Sequence, residues 1–209
     1  MDTIFFDMDG VIIDSELYWK KIQSDFLKKI IPTWTAEKQR ELIGLSAHDV
    51  YKLLVSKFGL KLSKEEYFEY YKDISHEIYA INSSLIPGVL ESIKFYQDKE
   101  LAIVSSAPHA WIKIVIERFE LKKYFKAIIS ADDVAGVGKP NPDIYELAVK
   151  KLNAFKAKTF TIEDSEKGVL SAKLAGITAV GFRNGFNQHQ DLSKADYIIN
   201  SFEELKKIV

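Results

Sequence analysis

Six short apolar runs alternate along this chain with longer segments of helical spacing, and that alternation limits the fold more than any other feature. The runs are Thr3–Phe6, Leu101–Val104, Ala127–Ile129, Thr159–Ile162, Thr178–Phe182 and Tyr197–Ile199. Residues 89–99, 110–119, 142–152 and 165–175 carry the helical pattern. Runs of strand length that alternate with helices argue for an α/β fold with a parallel sheet covered on both faces. The boundaries carry local signals. Asn141 is placed to cap a helix that starts at Pro142, where the missing N–H costs nothing. Gly176, just after Ala175, supplies a left-handed stop.

Residues 15–84 break the rhythm. Tyr18, Ile22, Phe26 and Ile30 follow helical spacing, and no convincing strand occurs. Ser46-Ala47-His48-Asp49 has the spacing of an N-terminal cap, and Ser63-Lys64-Glu65-Glu66 fits the full capping box, with Gly59 able to end the helix between them. The aromatic cluster Tyr67, Phe68, Tyr70 and Tyr71 is expected in the core of this segment, with one or two rings on a cleft. The organisation expected is an all-helical insertion at 15–84 within a core made of 1–14 and 85–209.

Composition narrows the function classes. The 209 residues suffice to bury roughly 70% of the unfolded chain's surface without covalent staples. Twenty-nine Lys and Arg against 30 Asp and Glu leave a formal charge of −1, so no global basic field exists for nucleic acid or an anionic membrane. The absence of cysteine excludes disulfides, thiolate zinc sites and cysteine nucleophiles. The N-terminus has no basic start and no long apolar stretch, which argues against a signal peptide or a membrane span. A cytoplasmic monomer that takes a small substrate is the expectation.

Ligands of open parallel sheets collect beyond the carboxyl ends of the strands, and here those ends are unusually polar. The first run ends in Asp7-Met8-Asp9-Gly10, the second in Ser105-Ser106, and the run at 159–162 in Glu163-Asp164-Ser165; the loop after Ser130 leads to Gly138-Lys139-Pro140. A calcium loop starting at Asp7 fails, since its Gly and Glu positions hold Ile12 and Tyr18. A structural cap does not require two adjacent acids. Several clustered carboxylates call for a divalent cation, and oxygen-only ligation suits magnesium shared with waters and a phosphate. Lys139 then supplies a fixed positive charge for a phosphoryl oxygen.

These residues resemble the four motifs of the haloacid dehalogenase-like hydrolases. The stretch Phe5-Phe6-Asp7-Met8-Asp9-Gly10-Val11-Ile12-Ile13-Asp14-Ser15-Glu16 is similar to the first, Ser105 to the second, Lys139 in Gly-Lys-Pro-Asn-Pro-Asp to the third and Glu163-Asp164 to the fourth, in family order. The resemblance implies a Rossmann-like core with a mobile helical cap, and Mg2+-dependent phosphoryl transfer through an aspartyl-phosphate. It implies Asp7 as nucleophile and Asp9 as general acid and base. It further implies Ser105 and Lys139 as phosphate ligands, and Asp7, Asp164, Glu163 and the Asp9 carbonyl around the metal.

Within the family, the acid at Asp9 is unlike the dehalogenases and the phosphonate-cleaving members. The β-phosphoglucomutase pattern places Thr and His four residues apart at the start of the cap, where this chain has Ser15 and Trp19. The mutase cap loop also carries an Arg, which the stretch from Gly44 to Asp49 lacks. A sugar or polyol phosphate phosphatase is therefore the expectation, with a β-phosphoglucomutase-type enzyme as runner-up. A phospho-accepting signalling module is a weaker alternative, because it needs no helical insertion to close over a substrate. Ser15, Trp19, His48 and His109 are the candidate substrate or cap residues, and Arg183 and Asn184 are read as shaping a turn.

Overall fold

The computed structural model describes residues 2–42, 45–135 and 137–208. Thr3–Phe6 forms β1, and the chain then runs through α1 (Glu16–Tyr18), a π-helical turn at Trp19–Gln23 and α2 (Ser24–Ile30). Next come α3 (Ala36–Arg40), α4 (Ala47–Phe58), α5 (Lys64–His76) and a second π-helical segment at Glu77–Asn82. The rest alternates: α6 (Val89–Phe95), β2 (Glu100–Ser105), α7 (His109–Arg118), β3 (Ala127–Ser130), α8 (Asp143–Lys151), β4 (Thr159–Glu163), α9 (Glu166–Ala175), β5 (Thr178–Phe182), β6 (Tyr197–Ile199) and α10 (Phe202–Leu205).

The six strands form one parallel sheet in the order β3-β2-β1-β4-β5-β6. β1 is central, with Phe6 beside Ile103 of β2 and Ile162 of β4. Successive side chains point to opposite faces. Ile4 and Phe6 therefore join one buried cluster with Ile93, Ile112 and Val115, and Phe5 joins another with Tyr145, Ala148 and Val169. Both faces are covered by helices, which explains why the strands read as unbroken apolar runs. No helix among the described residues is long and apolar enough to cross a membrane.

The helices between β1 and α6 hold their own apolar cluster, around Leu27, Trp34, Leu54, Tyr67 and Tyr71. Their two ends are fastened together. Ile13 and Leu85 form an antiparallel bridge, the Asp14 N–H reaches the Ser84 carbonyl at 3.1 Å, and the Ser84 N–H reaches Asp14 Oδ1 at 2.6 Å.

Most boundary signals hold. Ser63 and Glu66 complete a capping box, Ser46 caps α4, and Gly59 and Gly176 end their helices in the left-handed conformation. Asn141 does not cap α8: its Nδ2 donates to the Gly138 carbonyl at 3.0 Å, and its neighbour Pro142 takes the cap position. The helix expected over 89–99 ends at Phe95. A π turn at Trp19–Gln23 interrupts the first long helix, in which Tyr18, Ile22, Phe26 and Ile30 pack half-buried against the apolar clusters, and Gln23 and Leu27 are buried.

Candidate active site

Every polar strand end of the sequence converges on the carboxyl edge of β1. Asp7 follows the last residue of β1, and Lys139 arrives from the loop between β3 and α8. Lys139 Nζ lies 2.9 Å from Asp7 Oδ1, 2.6 Å from Glu163 Oε1 and 2.9 Å from the Val104 carbonyl oxygen. It is 3% exposed. Burial alone would pull this ammonium down, but the carboxylates of Asp7 and Glu163 outweigh it and hold the pKa well above the ordinary lysine range. Glu163 Oε1 also accepts a very short hydrogen bond from the Tyr145 hydroxyl. Burial pushes the Glu163 carboxyl up to about 7, against the pull of Lys139.

Asp164 sits beside Gly10, and this contact dictates the residue at position 10. A Cβ there would lie 2.1 Å from Asp164 Oδ2, and the backbone is left-handed at φ +76°. Asn184 bridges the two, its Nδ2 donating to Asp164 Oδ2 at 3.0 Å and to the Gly10 carbonyl at 2.9 Å. Burial, followed by the charges of Glu16 and Asp7, pushes the Asp164 carboxyl well above the usual range. Asp7, Glu163 and Asp164 are all buried and can each offer an oxygen within 4.8 Å of the others. A cluster of hard oxygen donors with so little water around it fits a divalent cation of the magnesium type.

Asp9 has a different environment. Its Oδ1 accepts from the Ser15 hydroxyl at 2.5 Å and from the Tyr79 hydroxyl at 2.9 Å, and Tyr79 in turn accepts from Trp19 Nε1 at 3.0 Å. Trp19 also stacks on Tyr71 and packs on Trp111, with ring centroids 5.8 and 5.2 Å apart. Burial raises the Asp9 carboxyl to about 6, Asp7 adding to the rise and the two hydroxyls opposing it. Such a carboxyl can carry a proton near neutrality and give it up again. Glu16 is pushed to about 7 by burial and by the charges of Asp9 and Asp7.

These groups line one cavity of about 770 Å³ between the strand ends and the helices at 15–84. Asp7, Asp9, Trp19, Ser105, Lys139 and Asp164 are on its wall. Ser15 reaches it through Asp9, while Glu163 lies behind Lys139. His48 and His109 stand elsewhere: His48 faces Asp132 at 3.6 Å and packs tilted on the Phe68 ring, and His109 Nε2 lies 3.0 Å from Asp133. The stretch compared with the mutase cap loop begins at Gly44, which lies outside the described residues; the part from Leu45 to Asp49 is described.

Three contributors escaped the sequence reading. Tyr79 comes from the second π segment, far from any motif. Asn184 was read as a turn residue, yet its position just after β5 is a strand end like the others. Arg40 lines the cavity from α3, as Lys20 does from the first π turn, and the pKa of His189 on the same wall is lowered first by burial and then by these two cations.

Residues 4–182 match the family model described as haloacid dehalogenase-like hydrolase. The chain is 30% identical over 201 residues to the phosphorylated carbohydrates phosphatase of Thermotoga maritima, covering 93% of this chain and 91% of that protein. It is 25% identical to the phosphoglycolate phosphatase of Escherichia coli, covering 97% and 90% of the two chains. In fold it is similar to CbbY of Rhodobacter sphaeroides, solved in complex with phosphate, with a TM-score of 0.82, 22% identity, and 98% and 96% of the two chains covered.

Proposed function

Because the chain belongs to the haloacid dehalogenase-like hydrolases, we propose that it is a magnesium-dependent phosphatase that hydrolyses a small sugar or polyol phosphate through phospho-Asp7. The observation that carries this reading is the pairing of two unlike carboxyls on one strand end. Asp7 is held 2.9 Å from the Lys139 ammonium, whereas Asp9 is raised to about 6 and gripped by two hydroxyls. One lies against a cation, and the other is able to exchange a proton. The kinship with phosphatases named for phosphorylated carbohydrates and phosphoglycolate supports the substrate class.

In this reading Asp7 attacks phosphorus in line, and Asp9 donates a proton to the leaving oxygen. Asp9 then takes a proton from the water that hydrolyses phospho-Asp7. Lys139, Ser105 and the main-chain N–H groups near Met8–Gly10 hold the phosphoryl oxygens, where charge spreads during transfer. Asp7, Asp164, the Asp9 carbonyl and Glu163 would hold magnesium, which would supply charge neutralisation at the phosphoryl group. The helices at 15–84 act as a cap over a core of 1–14 and 85–209 and exclude water from the reacting centre. The same reading places the protein in the cytoplasm as a monomer.

One observation favours a second reading, a β-phosphoglucomutase-type enzyme. Lys20 and Arg40 line the cavity on its helical side, where a second phosphate would need a cation. Phosphate release measured with magnesium over sugar, polyol and nucleotide monophosphates tests the proposal, with turnover of sugar or polyol phosphates expected. Conversion of β-glucose 1-phosphate to glucose 6-phosphate without phosphate release would favour the mutase instead.

A further inference from the structure

The helical segment touches the core at one point with unusual consequences for the chemistry. Asp49, in the first turn of α4, accepts the Gly138 N–H on Oδ2 at 3.3 Å, across 89 residues of sequence. The same oxygen accepts from the Ser46 hydroxyl at 2.7 Å, and the Ser46 oxygen receives the Asp49 N–H at 3.1 Å. Gly138 immediately precedes Lys139. A Cβ at position 138 would lie 2.8 Å from Ser46 Cβ and 3.1 Å from Ser46 N, so the helix end and the loop meet backbone to backbone.

The loop that carries Lys139 is pinned at several atoms. The Lys139 N–H reaches Ser106 Oγ at 3.4 Å, and the Gly138 carbonyl accepts from Asn141 N at 3.3 Å and from Asn141 Nδ2 at 3.0 Å. Ser106 and Asn141 belong to the core, so they hold the loop wherever the helices stand. The Gly138 N–H is tied to the helical segment instead. His48, next to Asp49, faces Asp132, whose Oδ2 accepts the His109 N–H at 2.9 Å, so the contact extends along the same edge.

We infer that Asp49 is a positioning residue that acts through Lys139: seating α4 on Gly138 fixes the main chain that sets the Lys139 ammonium on Asp7. The inference rests on the phosphatase reading for the role of Lys139, while the docking contact stands on geometry alone. It ties closure of the helices to completion of the charge array, so the site reaches full strength only with the α4 end in place.

The test compares Asp49→Ala, Asp49→Asn and Gly138→Ala by phosphate release and by amide hydrogen exchange over residues 137–139. Asn retains an acceptor oxygen for the Gly138 N–H and serves as the rescue variant. Asp49→Ala is expected to speed exchange at Gly138 and to lower kcat about fivefold, the kinetic equivalent of one hydrogen bond, with KM changed by less than about twofold. Asp49→Asn should restore both. Gly138→Ala should lower kcat as well, and adding Asp49→Ala to it should cost little more, since both break one contact. Unchanged exchange at Gly138 in Asp49→Ala overturns the inference, and so does faster exchange with wild-type kcat. A wild-type chain that releases no phosphate from any substrate defeats the phosphatase reading instead; the exchange comparison then still decides the docking contact.

Discussion

The Tyr79 hydroxyl donates to Asp9 Oδ1 at 2.9 Å although seventy residues separate them. The bond joins the last helical turn before residue 84 to the second acid of the first strand end. Because Trp19 Nε1 donates to the same hydroxyl, the Tyr79 proton is directed at Asp9 rather than free to rotate. Replacing Tyr79 by Phe removes that donor and leaves the ring. We expect kcat to fall about tenfold, with a melting temperature a few degrees below wild type because Trp19 Nε1 loses its acceptor, in steady-state and calorimetric measurements side by side. Wild-type turnover in Tyr79→Phe would show that Ser15 alone suffices to hold Asp9.

Asp7→Asn keeps the shape of the proposed nucleophile and removes its carboxylate. Turnover is expected to fall by orders of magnitude while circular dichroism and the unfolding midpoint report a folded chain. Steady-state turnover near that of wild type would refute the phospho-Asp7 mechanism.

Lys139→Met retains the apolar stem and deletes the ammonium. Activity is expected to disappear. Stability is expected to drop too, since Asp7 and Glu163 then lose their shared buried partner, a loss typically worth about 3 kcal/mol. Denaturant unfolding measures the second effect separately from the first. A variant that keeps its activity but unfolds early would reassign Lys139 to a purely structural ion pair.

Asp196 links pH to stability away from the cavity. Partial burial would raise its carboxyl, but Lys173 and the Ala179 N–H, 2.5 and 2.8 Å away, hold it below the ordinary aspartate range. A group depressed in the folded state contributes stability above its unfolded pKa and loses it as pH falls through the folded value. The melting temperature of wild type should therefore exceed that of Asp196→Asn at neutral pH, and the gap should close in acid. The effect is modest because Asp196 is one-third exposed, 34% by side chain. A gap independent of pH would assign the contribution to the hydrogen-bond geometry alone.

The sheet was legible because both of its faces are covered. Ile4, Phe5 and Phe6 must all be apolar, so β1 stands out as a continuous run ending at a charge, and the other strands repeat the pattern. Asp7, Asp9, Lys139 and Asp164 could be read for a related reason: strand ends are local, and a parallel sheet brings them together without further information. Tyr79, Asn184 and Asp49 could not be found in this way. Each acts through a contact whose partner is remote in sequence, and each is of a residue type common in caps, turns and cores. His48, in the first turn of α4, faces Asp132 and Phe68 away from the cavity wall, and nothing in the sequence marks which way it turns.

The fastening of Asp14 to Ser84 and of Ile13 to Leu85 has a bearing on how such a chain can diversify. Entry and exit of the helical segment are held side by side by the core's own backbone. Whatever lies between them is, to the sheet, a loop closed at its base, and its length alters stability only logarithmically. Helices can be lengthened, shortened or exchanged there while the strand end that bears Asp7 keeps its register with β2 and β4. The segment's own cluster around Leu27, Trp34 and Tyr67 can thus vary apart from the sheet, while its contacts to Asp9 and Gly138 cannot. A graft of a foreign helical segment between residues 14 and 85 would need to reproduce the contact on Gly138 and the two hydroxyls that Ser15 and Tyr79 set on Asp9.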